Sequence, residues 1–291
     1  MSQRAPKPEW LRVTLRTDKP FQETRALVKD LRLHTVCQEA RCPNMFECWG
    51  NRTATFMILG DICTRRCAFC AVATGRPGAI DPGEPDRVGQ GVASLGIRHA
   101  VITSVDRDDL PDGGASHFAE TIQAIRRHSP ETRVEVLIPD FNGDSGALAV
   151  VMKARPEVLA HNVETVPRLY RTVRPRAKYQ QSLTLLKRAS AWRSEYPVRI
   201  KSGLMVGLGE TREELFAVFQ DLREHECDIL TVGQYLRPTE KHHEVIRYYP
   251  PEEFVEIRTE AKTLGFTHVE SGPLVRSSYH AHLHVADSPS S

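Results

Sequence analysis

No apolar run in this 291-residue chain approaches the roughly 18 residues of a membrane-spanning helix, so no membrane association is expected. Excess charge is missing as well: 39 Lys and Arg stand against 37 Asp and Glu, a formal +2, which gives no signature of nucleic-acid binding. The first residues carry Arg4 and Lys7 but no apolar stretch of signal-peptide type, and Glu9, Asp18 and Glu23 are out of place in a transit peptide. A cytoplasmic protein is the expectation. Cysteine is scarce and odd in number, at 7, and its close spacings would make disulfide loops of only a few residues. A disulfide framework is therefore not expected in a reducing compartment, and metal binding is the better use of these thiols.

Six of the seven fall into two triplets, Cys37/Cys42/Cys48 and Cys63/Cys67/Cys70. A tetrahedral zinc site takes four protein ligands, and a four-iron cluster has four irons that each need an outer ligand. Each triplet is one thiolate short. A vacant metal position is where a small molecule can bind directly, so the pattern points to chemistry at a cluster. Read from the residues alone, Cys63-x-x-x-Cys67-x-x-Cys70 also suits a zinc site or structural cluster completed by a remote ligand. Cys37-x4-Cys42-x5-Cys48 is spaced too widely for a zinc knuckle, and a second cluster is the more natural reading.

From residue 53 onward β-like and helix-like segments alternate. The run 53–59 is β-branched and apolar and ends at Gly60, which puts the Cys63 triplet on the loop after a strand. Further strands are expected at 99–104, 133–138, 158–163, 198–206, 228–233 and 267–270, near-continuously apolar as in parallel strands buried on both faces. Helices are expected at 116–128, 180–194, 210–225 and 251–264, the last opening Pro-Pro-Glu-Glu as a helix start does. Repeated strand–helix units imply an α/β fold with a parallel sheet, closed or partly closed as a barrel. In such barrels the reactive groups lie on loops at the carboxyl ends of strands, here the Cys63 loop with 104–114, 161–165, 205–210 and 234–239. Residues 1–50 read as an added module, 51–270 as the barrel, 271–291 as a C-terminal segment, and 287–291 as a frayed tail.

The Cys63 spacing, with aromatic Phe69 before the third cysteine and directly after a first strand, resembles the signature of the radical S-adenosylmethionine enzymes. The stretches Cys37-Gln38-Glu39-Ala40-Arg41-Cys42-Pro43-Asn44, Phe46-Glu47-Cys48-Trp49 and Gly60-Asp61-Ile62-Cys63-Thr64-Arg65-Arg66-Cys67-Ala68-Phe69-Cys70 resemble the lipoyl synthase family, and the likeness runs from about residue 20 to residue 283. The resemblance implies a partial (β/α)6 TIM-type barrel whose C-terminal segment returns to the N-terminal extension. It implies two 4Fe-4S clusters and S-adenosylmethionine, which chelates the open iron at Cys63/Cys67/Cys70 and is cleaved to a 5′-deoxyadenosyl radical. The reaction implied is insertion of two sulfur atoms at C6 and C8 of a protein-bound octanoyl-lysine, with the Cys37/Cys42/Cys48 cluster as sulfur donor. Its missing ligand is implied by Arg276-Ser277-Ser278-Tyr279, with Ser278 ahead of Ser277. Serine is a harder, less acidic ligand than thiolate, hence one able to leave.

Candidate cofactor contacts are Phe69, Asn162 and Glu164 for ribose hydroxyls, Gly113 and Gly114 where the family binds the methionyl amine, and the glycine-rich 203–209 near adenine. Arg174 suits a carboxylate, although Arg168, Arg171, Arg174, Arg176 and Lys178 also read as a solvated basic face or a dock for an acidic carrier. Implied partners are octanoylated lipoyl domains of 2-oxoacid dehydrogenase complexes, the glycine-cleavage carrier protein, and a low-potential donor such as ferredoxin or flavodoxin. Two rival functions are a sulfur-inserting enzyme related to biotin synthase, and a two-cluster electron carrier. Cys227 reads as a core thiol, His242-His243-Glu244 as loop polarity, and His280, His282 and His284 as a solvated extended tail.

Overall fold

The computed structural model describes residues 7–15 and 17–285. The expected frayed tail at 287–291 lies outside them. Seven parallel strands run in sequence order: β1 (Thr55–Ile58), β2 (His99–Ser104), β3 (Arg133–Leu137), β4 (Val158–Ala160), β5 (Arg199–Val206), β6 (Ile229–Gln234) and β7 (His268–Gly272). Six helices connect them: α1 (Glu84–Leu95), α2 (Ala115–His128), α3 (Ser145–Lys153), α4 (Tyr179–Ser190), α5 (Arg212–Glu224) and α6 (Pro251–Thr263). The result is six strand–helix units and a seventh strand, an open partial barrel. Phe56, Ile58, Ile102, Val134, Val136, Leu159 and Ile200 are fully buried along these strands, which is why they read as unbroken apolar runs.

Two helices escape the sequence pattern. α1 contains Pro85, Gly89 and Gly91, residues that ordinarily signal a loop. Gly89 is required because a Cβ there would lie 2.8 Å from the Ala124 carbonyl oxygen of α2, so the two helices approach closely only over bare backbone. α3 is short and apolar on nearly every side, without a helical period. The expected strand at 158–163 ends at Ala160, where the chain leaves the ladder and rejoins it by a single bridge between Glu164 and Leu204. Helix caps are local and strong: Thr211 and Glu214 make a reciprocal capping box at the start of α5.

The N-terminal module is built on the sheet, not merely beside it. A two-residue strand, His34–Thr35, pairs antiparallel with β1, a segment too short to show any periodicity in sequence. The helix Lys19–Asp30 packs on the short helix Met45–Gly50 through Phe21, whose ring lies 5.3 Å from Phe46 and 5.5 Å from the buried Trp49. The sheet thus has two free edges, His34–Thr35 and β7. The C-terminal segment crosses between them: Asn44 donates to the Leu274 carbonyl at 2.8 Å, Thr55 to the Ser278 hydroxyl at 2.8 Å, and Tyr279 to Glu47 at 3.1 Å. His280 lies 3.3 Å from Glu47 and stacks on Tyr279, and 281–285 form a 3-10 turn. The solvated extended tail expected from the alternating histidines is corrected in its backbone, which is a turn and not extended, while His282 is exposed as expected. Lower in the barrel Lys201 donates to Glu135 at 2.6 Å and His99 meets the same carboxylate at 3.1 Å, tying β5, β3 and β2 together without solvent. Among the described residues no helix is long and apolar enough to cross a membrane.

Candidate functional site

A cavity of about 600 Å³ opens at the carboxyl ends of the strands, lined by all of Cys63, Cys67 and Cys70 and by Cys37 and Cys42 of the other triplet. Cys63, Cys67, Phe69 and Cys70 line one side, Cys37, Cys42 and Ser278 another, with Asn162, Glu164 and Arg174 in the same wall. Met57, Val36, Leu137, Leu204 and Met205 give the intervening surface its apolar character.

The Cys63 loop closes on itself by a short parallel ladder, Ile62–Cys63 against Ala73–Thr74, and further backbone bonds hold the residues that the ladder leaves out. Thr64 donates to the Asp106 carbonyl at 3.0 Å, Ala68 to Val173 at 2.9 Å, and Gly75 to Cys63 at 3.0 Å. The Asp106 and Arg65 amides both point at the Cys63 sulfur, at 3.3 and 3.4 Å. Arg65, buried, is the anchor: it donates to Asp108 at 2.7 and 2.8 Å, to Asp140 at 2.7 Å and to Asn142 at 2.9 Å. Burial opposes its charge, but the bonds to Asp108 and Asp140 outweigh that and raise its pKa. Without metal these thiols stay protonated. Burial pushes Cys63 up to about 11, with Asp106 adding to it, and Cys67 up to about 12, opposed by Arg174. Cys70 is raised by burial too.

Cys37 sits in the short helix Val36–Glu39 and Cys48 in Met45–Gly50. Burial and the neighbouring Cys42 push Cys37 up to about 11; burial, Cys37 and Cys42 push Cys48 up to about 12. Cys42 rises by burial, eased by Arg276. The Cys48 sulfur is close enough to feel the other two, although Cys48 is not part of the cavity wall. Thr55 connects this group to the far end of the chain, since its backbone is near enough to the Cys37 thiol to ease its ionisation and its hydroxyl donates to Ser278. Ser277 also lines the cavity.

Between the triplets, Asn162 donates to Glu164 at 3.1 Å, which leaves its buried Oδ1 without a partner. Arg174 donates through Nη1 to the Asn162 and Val163 carbonyls at 3.0 and 3.2 Å, and its buried Nε has no partner. An orphaned acceptor and an orphaned guanidinium donor on one cavity wall fit a ligand carrying hydroxyls and a carboxylate. Burial raises the pKa of Glu164, with Arg174 opposing. Gly113 and Gly114 are not in this wall. Their φ values of 61° and 92° turn the chain into α2, and a Cβ on Gly113 would lie 2.9 Å from Phe141 and one on Gly114 2.3 Å from Leu59, so the turn is closely packed. Cys227 is fully buried.

Several wall residues carried no clear signal in sequence. Asp106 lies within the expected mouth loop 104–114, and Arg276 opens the motif that contains Ser278, but nothing local marks the first as a neighbour of Cys63, Cys67 and Cys70 or the second as a neighbour of Cys42. His161 is buried beneath Asn162; its Nδ1 donates to the Ile138 carbonyl at 2.9 Å, so Nε2 accepts from Ser182, also at 2.9 Å. Burial lowers its pKa to about 4.

Among the described residues no three His, Cys, Asp or Glu side chains are gathered as tightly as one metal ion requires. A four-iron cubane is larger and spreads its sulfur ligands over separate corners, so two spaced triplets of thiols fit it better than a single ion. The comparisons agree. Residues 57–222 match the radical SAM superfamily, and residues 1–42 match the N-terminal domain of lipoyl synthase of that family. A lipoyl synthase of Symbiobacterium thermophilum is 61% identical over 94% of this chain and 85% of its own length. One of Rubrobacter xylanophilus is 57% identical over 97% of this chain and 87% of its own. Among solved structures, methylornithine synthase (PylB) shares the fold at a TM-score of 0.52 with 14% identity, covering 86% of this chain and 82% of that one. With two relatives so similar over nearly its whole length, the chain belongs to the lipoyl synthase family of radical S-adenosylmethionine enzymes.

Proposed function

We propose a division of labour within the lipoyl synthase reaction, in which Cys63, Cys67 and Cys70 hold the cluster that binds S-adenosylmethionine while Cys37, Cys42, Cys48 and Ser278 hold the cluster that donates sulfur. The enzyme inserts two sulfur atoms at C6 and C8 of a protein-bound octanoyl-lysine, using two 4Fe-4S clusters and S-adenosylmethionine. Unactivated C–H bonds resist acid–base chemistry, so the cofactors supply a low-potential electron, a strong carbon radical and the sulfur.

The residues of the chain bind, orient and exclude water. The observation that carries the assignment is the shared cavity, with Asn162 and Arg174 presenting unpaired polar atoms beside Cys67, and Ser278 held by Thr55 next to Cys37. Asn162 Oδ1 would accept from a ribose hydroxyl and Arg174 Nε would donate to the methionyl carboxylate, with Phe69 offering an aromatic face in the same cavity. The apolar wall of Val36, Met57, Leu137, Leu204 and Met205 receives the octanoyl chain. A tethered substrate requires a carrier: octanoylated lipoyl domains of 2-oxoacid dehydrogenase complexes or the glycine-cleavage carrier, met in the cytoplasm, with ferredoxin or flavodoxin as reductant.

The test is mass analysis of an octanoyl-lysine peptide incubated anaerobically with reconstituted protein, S-adenosylmethionine and dithionite. A product carrying two sulfurs, from protein holding about eight irons, is expected. A reproducible four irons with full product would remove the second cluster from the account.

A further inference from the structure

Residues 235–243, which follow β6, fold back against the Cys63 loop. His243 donates its amide to the Ala68 carbonyl at 2.8 Å, and the opposite side of the same residue is fixed by its own amide bond to Val173 at 2.9 Å. His243 Nε2 reaches the Leu208 carbonyl at 2.9 Å. The segment is itself braced: Tyr235 donates to the His243 carbonyl at 2.8 Å, and Arg237 donates to the carbonyls of His242, at 2.9 Å, and Glu240.

The closest link to a cysteine is made by His242. Its Nε2 lies 2.9 Å from the carbonyl oxygen of Cys70, and a carbonyl only accepts, so Nε2 carries the proton. Nδ1 is then the acceptor for the Thr239 hydroxyl at 2.8 Å, and the Thr239 oxygen receives the Lys241 amide at 3.3 Å. This chain of bonds fixes both the tautomer and the plane of the ring. It gives the dipeptide His242-His243, unremarkable in sequence, a defined task.

We propose that His242 is a positioning residue for the third cysteine of the Cys63/Cys67/Cys70 site, setting the Cys70 peptide, and through it the sulfur, in the orientation that leaves the S-adenosylmethionine position correctly aimed. The inference rests on the assignment of that triplet to the cofactor-binding cluster. Partners one shell beyond metal ligands typically change affinity or activity by about 10–100-fold when removed, because they hold the ligand's orientation.

The test uses reconstituted holoenzyme as wild type, His242→Leu and His242→Gln, with S-adenosylmethionine titrated against the reduced cluster and followed by electron paramagnetic resonance, alongside iron per chain. His242→Leu is expected to require about tenfold or more S-adenosylmethionine for the spectral conversion. His242→Gln, which keeps an N–H donor near the Nε2 position, should titrate close to wild type. A leucine variant that titrates like wild type overturns the inference. So does a glutamine variant that holds iron yet titrates as weakly as leucine, since packing alone would then account for both. Should leucine fail to fold, the glutamine titration decides. A wild type without any spectral response would instead overturn the assignment of the triplet, an outcome distinct from equal titration of all three proteins.

Discussion

Replacing Arg65 by glutamine removes a cation around which four side chains of two loops, Asp106, Asp108, Asp140 and Asn142, are organised. Its guanidinium is 4% exposed and Asp140 is 1% exposed, so the ion pair at 2.7 Å lies out of water. Without Arg65 the Asp140 carboxylate keeps only the Asn142 amide at 3.0 Å, since its second oxygen is buried and already lacks a partner. Breaking a buried pair by deleting one member costs about 3–5 kcal/mol, because a charge is left uncompensated. At about 2–4 °C per kcal/mol this is a fall of roughly 6–20 °C in melting temperature. The pH dependence has a definite sign. Burial works against ionisation of Asp140, but Arg65 more than offsets it and holds the carboxyl below its ordinary value. That stabilisation is present above the unfolded carboxylate pKa of about 4 and is lost as pH falls through the lower folded value. In Arg65→Gln the carboxyl takes up a proton more readily, so the deficit against wild type narrows on acidification. Arg65→Lys should fall between the two, as one ammonium cannot span Asp108, Asp140 and Asn142 together. Thermal unfolding followed by circular dichroism at pH 7 and at about pH 5 measures both effects. A loss below about 1 kcal/mol, as for an exposed pair, or a deficit that does not change with pH, would refute the reasoning.

Three other perturbations separate the parts of the site. Thr55→Val deletes the donor to Ser278 and should cost about 1 kcal/mol in denaturant unfolding, with slower sulfur transfer and unchanged cleavage of S-adenosylmethionine. In Ser278→Cys, iron content should stay full while lipoyl product falls, because thiolate holds iron more firmly than a serine oxygen; product and iron assays on one preparation check it. His161, neutral and lowered to about 4 by burial, is protonated more readily in the unfolded chain, so stability declines as pH falls from about 6.5 to about 4, by about 3 kcal/mol in all. His161→Gln should flatten that part of the melting profile.

The strands and the Cys63 loop are legible in sequence because both signals are local: unbroken apolar runs, and ligands separated by two or three residues. The role of residues 34–35 as a sheet edge and the helix at Glu84–Leu95 are not, since one is two residues long and the other carries Gly89 for close approach to α2 and Gly91 for close approach to Leu33. Gly113 and Gly114 read as a cofactor turn in sequence, but their close approach to Phe141 and Leu59 depends on residues distant in the chain and has no local signal. Ser278 meets Thr55 across 223 positions, a contact that no periodicity encodes and that only the resemblance of its flanking motif suggested. His242 and His243 are polar loop residues until the fold brings them against Ala68 and Cys70. Arg65 stands in plain view between two cysteines, but its carboxylate partners come from loops more than 40 residues away.

The division of labour between the triplets is tested most directly by quantifying 5′-deoxyadenosine and lipoylated peptide together in wild type, Cys42→Ala and Cys67→Ala. Cys67→Ala should yield neither, and Cys42→Ala should yield 5′-deoxyadenosine without sulfur insertion. Lipoyl product from Cys42→Ala would contradict the assignment.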